Sequence, residues 1–185
     1  MGKLKKIILA LLPKIWYTIA MQTVYLETSV VSNLTARPSN NIVNMARQII
    51  SCDWWDAAQG VLDIYVSPLV AEEALKGDAR AAERRMAFLK PIKALNYGAR
   101  ERLLARRFLE LAALPLKSYD DALHIAIATY YNLDFLVTWN CKHICNPVKL
   151  PQIVQICTDN GLKCPQIVTP KQLLEIINDT RRVQN

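Results

Sequence analysis

Four side chains able to offer oxygen to a cation are spread over more than half of the chain. They are Glu27 in VYLETSVVSNL, Glu73 in VSPLVAEEALKGD, Asp121 in YDDALHIAIA and Asn140 in FLVTWNCKHI. Each follows or precedes an apolar, β-prone run, where a parallel sheet would bring its carboxyl ends side by side. Carboxylates and an amide gathered there suit a hard divalent ion, Mg²⁺ or Mn²⁺. An ion so held acidifies water and clamps a phosphodiester, so the chemistry in view is metal-assisted phosphodiester hydrolysis.

Each residue also has a plainer reading. Glu27 could be a surface acid, but Thr28 and Ser29 behind it and the other acids argue for a site. Glu72 and Glu73 are neighbours on a helix and point about 100° apart, so only one can face a pocket. Val70 and Ala74 place Glu73 inward and leave Glu72 to solvent. Of Asp120 and Asp121, one is expected to cap the following helix. Asp121, one turn before His124, is the better ligand. His124 could be a ligand, a base or a core residue, and its neighbours Leu123, Ile125 and Ala126 favour the core. Asn140 could bind a metal through its oxygen or orient a carboxylate. Thr138 and His143 flank it, the histidine within reach of a phosphate or on an exposed loop.

The elements that must position these residues alternate between strand and helix. Thr23 to Glu27 reads as a strand, with Thr28 and Ser29 suited to cap the next helix. From Asn40 to Gln59 the apolar residues Ile42, Met45, Ala46, Ile49 and Ile50 follow the helical period, and Gly60 closes the segment. Leu62 to Val66 is a strand, and Ser67-Pro68 opens a helix. Gly77-Asp78 restarts one that Pro91 stops, and Ile92 to Leu95 is a third strand. Helices follow at about Ala99 to Ala113 and Ser118 to Tyr131, the latter with a tightly packed face of Ala122, Ile125, Ala126 and Thr129. Phe135 to Trp139 has the continuous apolar character of a buried parallel strand. Pro151 to Asn160 is helical, Gln166 to Val168 is a last strand, and Thr169-Pro170 caps a final helix through Ile177. This alternation, without hairpin signals, predicts an α/β fold: a three-layer α/β/α sandwich on a central parallel sheet. The division expected is an appendage over 1–22, one domain over 23–178 and a tail over 179–185.

The chain has 185 residues, 52% of them apolar, which suffices for one core. Its formal net charge is +7. Bases cluster between Lys76 and Arg107, Arg84 and Arg85 among them, either as a solvated face or as a surface that draws a polyanion. The five cysteines are odd in number and fit reduced thiols of a cytoplasmic protein. Cys141, His143 and Cys145 lack the paired spacing of a structural zinc site. The first twenty residues are basic and apolar, like a weak secretory signal, but Pro13 and Lys14 interrupt them and they are too short to span a bilayer. An over-extended start, with the working protein beginning at Met21, or a peripheral amphipathic appendage is favoured over export. No later segment reads as a membrane span.

Glu27-Thr28-Ser29, Glu73 after SPLVAE, Asp121-Ala-Leu-His-Ile-Ala and Thr138-Trp-Asn140-Cys-Lys-His-Ile together resemble the PIN domain, specifically VapC-like toxins of type II toxin–antitoxin pairs. The resemblance runs from about Val24 to Leu174. It implies a PIN-like parallel-sheet sandwich, Mg²⁺- or Mn²⁺-dependent cleavage of RNA, a homodimer and a cognate antitoxin. It also implies that Glu27, Glu73, Asp121 and Asn140 are the metal and catalytic residues. Thr28, Ser29, Thr138, His143, Arg84 and Arg85 would then contact substrate. Two positions depart from the usual pattern: Glu27 and Asn140 stand where the family ordinarily has Asp. Glu27 is a methylene longer, and Asn140 removes one negative charge. A variant branch reads Glu-Thr-Ser and Thr-Trp-Asn at these places. The alternative to a nuclease is an RNA-binding or regulatory module of the same fold without strong catalysis.

Overall fold

The computed structural model describes residues 21–184, so the expectations for the first twenty residues lie outside the described residues. Five strands form one sheet: β1 (Gln22–Leu26), β2 (Leu62–Val66), β3 (Lys93–Ala94), β4 (Phe135–Val137) and β5 (Gln166–Val168). All neighbours are parallel, in the order β3-β2-β1-β4-β5. Parallel pairing needs crossovers, and eight helices among the described residues supply them. They are α1 (Thr28–Thr35), α2 (Ile42–Ala58), α3 (Pro68–Ala74), α4 (Ala79–Leu89), α5 (Ala99–Glu110), α6 (Tyr119–Tyr130), α7 (Leu150–Asp159) and α8 (Pro170–Gln184). The expected α/β/α sandwich is therefore the fold. β1, β2 and β3 are laid down in one direction, and the chain then crosses to place β4 on the other side of β1. That reversal leaves a crevice at the carboxyl ends of β1 and β4, where α/β sheets hold ligands.

The core centres on these two strands. Val24, Tyr25, Leu26, Leu136 and Val137 have no exposed surface. α6 is buried along almost its whole length, Ala122 to Thr129, so its small residues sit directly against its neighbours, wider than the single face expected. Each large aliphatic side chain buried this way contributes about 1.5–3 kcal/mol.

Several local expectations need correction. Glu27 itself, not Thr28 or Ser29, caps α1, its carboxylate accepting the Ser29 amide. Neither Asp120 nor Asp121 caps α6; Ser118 holds that position and turns its hydroxyl elsewhere. Asp120 lies 4.0 Å from the Lys76 ammonium. The third strand shrinks to two residues, and the last helix runs beyond Ile177 to Gln184.

The largest difference lies on α2. Ile42, Met45 and Ile49, on the expected apolar face, are exposed, while Ser51, Trp54 and Ala58 are buried. At 100° per residue the two sets lie on nearly opposite sides of the helix. The sequence carries two apolar stripes, and the one containing Trp54 faces the core. Ser51 reinforces that choice by accepting the Trp139 indole N–H at 2.8 Å.

Candidate metal centre

The crevice at the ends of β1 and β4 receives the three predicted acids and the amide from four stretches of the chain. Glu27 follows β1, Glu73 lies on α3, Asp121 opens α6 and Asn140 follows β4. Donor atoms of Glu27, Glu73 and His124 all lie within 4.8 Å of one another. Asp121 stands outside that trio, but it is three residues before His124 on α6 and shares its face. No lysine or arginine pairs with Glu27, Glu73 or Asp121 among the described residues.

Glu27 is 5% exposed and is held on every side. One oxygen accepts the Ser29 amide at 3.1 Å. The other accepts the Ser29 hydroxyl and the Thr138 hydroxyl, the latter at 2.7 Å. Each of these hydroxyls also accepts a backbone N–H: Ser29 that of Trp139, Thr138 that of Asn140, both at 2.8 Å. The start of α1 is thereby laced to the end of β4. Thr28 does the same for Glu73, donating its hydroxyl to Oε2. The hydroxyls of Thr28, Ser29 and Thr138, the residues expected to contact substrate, fix the carboxylates.

Glu73 Oε2 also accepts from His124 Nε2 at 3.0 Å. Behind the ring, Nδ1 lies 2.8 Å from the Tyr25 hydroxyl, and that hydroxyl lies 2.7 Å from Ser67 Oγ. Ser67, Tyr25 and His124 are all buried, so a hydrogen-bonded line runs through the protein interior to the carboxylate. Ser67 was expected to cap α3, yet its hydroxyl makes no capping bond and serves this line. Tyr25 and Ser67 escaped the sequence reading because their partners come from elements far away in the chain. Only the polar hydroxyl of Tyr25 between the apolar Val24 and Leu26 hinted at a buried partner.

These contacts move the ionisation equilibria. Burial opposes the His124 cation, but the Glu73 hydrogen bond and the charges of Glu27, Glu73 and Asp121 outweigh it and raise the ring's pKa. Burial likewise opposes the Glu73 anion, and the bonds from His124 and Thr28 with the charges of His124 and Lys76 bring its pKa below the ordinary carboxylate value. Desolvation pushes the Tyr25 hydroxyl far above its usual range, so it stays protonated. His124 is thus both a packed core residue, as its neighbours suggested, and a member of the site.

The other half of the crevice is built on Asp121, whose side chain is 21% exposed. Its Oδ1 accepts from Asn140 Nδ2 and its Oδ2 from His143 Nδ1, each at 2.7 Å. Asn140 Oδ1 in turn accepts the His143 amide at 3.1 Å. With its oxygen accepting a backbone N–H and its nitrogen donating to a carboxylate, Asn140 holds Asp121 in place. A carboxylate accepts only, so the proton of His143 resides on Nδ1, which also lies 3.1 Å from Ser118 Oγ. Its Nε2 has no hydrogen-bond partner among the described residues.

The donor set fits a divalent cation. Glu73 Oε1 has no hydrogen-bond partner among the described residues while Oε2 is fixed by two donors. Glu27 and Glu73 bring carboxylate oxygens together, with Asp121 one turn from His124. No lysine or arginine among the described residues pairs with them, and such oxygens suit Mg²⁺ and Mn²⁺.

Arg84 and Arg85 lie away from this crevice. Arg85 donates to the carbonyls of Ala74 and Lys76, at 2.8 and 2.6 Å, closing the carboxyl end of α3. Arg84 donates to the carbonyls of Thr35 and Arg80. All five cysteines are free thiols, and no described helix is long and apolar enough to cross a membrane.

No family model and no curated protein matches the sequence. Among solved structures, the chain is similar to one in the crystal structure of VapBC2 from Rickettsia felis bound to a DNA fragment from their promoter. The TM-score is 0.54 at 14% identity, over 80% of this chain and 98% of that one. At this identity the likeness is one of fold, and it agrees with the parallel-sheet α/β/α sandwich expected.

Proposed function

We propose that this chain is a VapC-like PIN-domain toxin, an endoribonuclease dependent on Mg²⁺ or Mn²⁺. The observation that carries the reading is the convergence of Glu27, Glu73 and His124 donors within 4.8 Å, with Asp121 on the adjoining turn. The cation would be held by Glu27 and Glu73 with Asp121 beside them. Bound there, it would lower the pKa of water and neutralise charge on a scissile phosphate.

The chain's own residues do the remaining work. Ser29, Thr138 and Thr28 fix the carboxylate oxygens so that little reorganisation accompanies binding. His124, backed by Tyr25, keeps Glu73 ionised and in place. Asn140 and His143 hold Asp121 from both sides, and His143 Nε2 is the atom that would exchange a proton or hydrogen bond with the substrate. Hydrolysis in this manner leaves a 3′-hydroxyl and a 5′-phosphate. Single-stranded or looped RNA is the substrate this geometry favours, because an unpaired backbone can enter a crevice at a sheet edge.

The assembly expected is a homodimer in the cytoplasm, silenced by a cognate antitoxin. The likeness to a chain of a VapBC2 structure supports an antitoxin partner. End-labelled RNA incubated with Mg²⁺ or Mn²⁺ tests the reading. Cleavage that chelation stops, with the product ends named above, is expected. Binding without cleavage at any concentration of either ion would contradict it and point to a regulatory RNA-binding module.

A further inference from the structure

Arg37, Arg80 and Arg84 line one cleft together with Asp78, and the imbalance of three cations to one anion has no remedy among the described residues. None of the three arginines forms an ion pair there. Arg84 is held in position: its Nε donates to the Thr35 carbonyl at 2.9 Å and its Nη1 to the Arg80 carbonyl at 3.2 Å. A guanidinium fixed by backbone carbonyls keeps its remaining N–H edge for another acceptor and loses little freedom on binding one. Asp78 stays because it caps α4, accepting the Ala81 amide at 2.9 Å.

α1 ties this cleft to the crevice. Thr28, its first residue, donates to Glu73, and Thr35, its last, holds Arg84. At ~1.5 Å per residue the two places lie about 10 Å apart along the helix. Planar guanidinium forks match phosphate oxygens, and like charges gathered without counter-charge draw a polyanion. We propose that Arg37, Arg80 and Arg84 form a phosphate subsite that holds the RNA backbone beside the scissile bond, one helix length from the carboxylates. The assignment rests on the nuclease reading above. It separates Arg84 from Arg85, whose guanidinium closes α3 instead, and it adds Arg37 from a distant part of the chain. The cleft's lining is charged, with no apolar side chain, so a phosphate backbone fits it better than a folded protein segment.

Fluorescence anisotropy with labelled single-stranded RNA, in chelator so that no cleavage occurs, tests the subsite. The Arg37→Ala/Arg80→Ala variant should bind roughly tenfold more weakly, with a salt slope shallower by about 0.7 for each phosphate that is no longer neutralised. Asp78→Asn should bind more tightly than the parent, because asparagine keeps the cap and removes the one carboxylate. Lys163→Ala, at the opposite end of the sheet beside Asp134, controls for charge alone. Affinities unchanged in the arginine variant, or lowered no more than in Lys163→Ala, would overturn the subsite even if the parent cleaves RNA. A variant that loses a polyglutamate peptide but keeps RNA would also overturn it, in favour of an acidic protein partner. A parent that neither binds nor cleaves RNA would remove the nuclease reading and the subsite together.

Discussion

Glu27 rests on hydroxyls tied to backbone and Glu73 on the buried His124 ring, whereas Asp121 rests on an amide and an imidazole nearer solvent. In the first half the Ser29 and Thr138 hydroxyls also accept backbone N–H groups, and the His124 ring is backed by Tyr25 and then by Ser67 inside the fold. In the second half the support is a loop, residues 140–143, with a ring nitrogen left over. The contrast suggests a division of labour. The depth is that of the supporting donors, since the Glu73 and Asp121 side chains are equally exposed, at 22% and 21%. On the proposed reading the deep half would grip the cation and the shallow half would meet the substrate. A carboxylate already desolvated and aimed incurs its ordering cost at folding, not at binding.

The sharpest way to break this comparison is to remove one carboxylate from each half. Glu73→Gln should abolish both divalent-ion binding and RNA cleavage, the latter by roughly a hundredfold or more. Asp121→Asn should lose cleavage comparably yet keep measurable ion binding by calorimetry. Equal loss of ion binding in both would erase the distinction between the halves.

Tyr25→Phe reaches the deep half from behind. It strands Ser67 and His124 Nδ1 in a buried place, at a cost of about 1–3 kcal/mol in stability. Loss of such outer support weakens ion affinity by about tenfold or more, and the RNA affinity measured in chelator should not move with it. Ion affinity equal to the parent's would mean the line is a packing detail.

Asn140→Asp sharpens the shallow half. If the amide were a weakened ligand, restoring the carboxylate would tighten ion binding. Because Asn140 donates to Asp121 at 2.7 Å, the opposite is expected. A carboxylate in that place repels Asp121 instead of donating to it, and cleavage should fall severalfold because Asp121 loses the donor that aims it.

The smallest effect is thermal. Glu73 has a lowered pKa, so its share of stability is present above the ordinary 4.5 and is lost as pH falls through the lowered value. His124 has a raised pKa, so its share is complete below 6.5 and is lost as pH rises through the raised value. The melting temperature of the metal-free protein should therefore decline as pH climbs above 6.5. A flat profile there would mean that His124 stays neutral in the fold.

Much of the scaffold was legible because its signals are local. Leu62–Val66 and Gln166–Val168 are bounded by turn residues and appear where the β-prone runs stand. Glu73 faces inward and Glu72 outward, as the helical spacing and the flanking Val70 and Ala74 required. Illegible features depended on what lies across the sheet. Periodicity offered two stripes on α2 and could not choose the one that Trp139 and the core would take. The hydroxyls of Thr28, Ser29 and Thr138 were placed at the right edge, but the carboxylates they support were not foreseen. An exposed substrate contact and a buried carboxylate support look the same until the strands are side by side. The line from Ser67 through Tyr25 to His124 joins residues 42 and 99 positions apart, beyond any local pattern.

The direct test of the deep half is electron paramagnetic resonance of Mn²⁺ titrated into the metal-free protein. Loss of the free-ion signal at stoichiometric Mn²⁺ is expected in the parent, and no such loss in Glu73→Gln. A free-ion signal equally intense with parent, variant and buffer would contradict the claim that these side chains form a cation site.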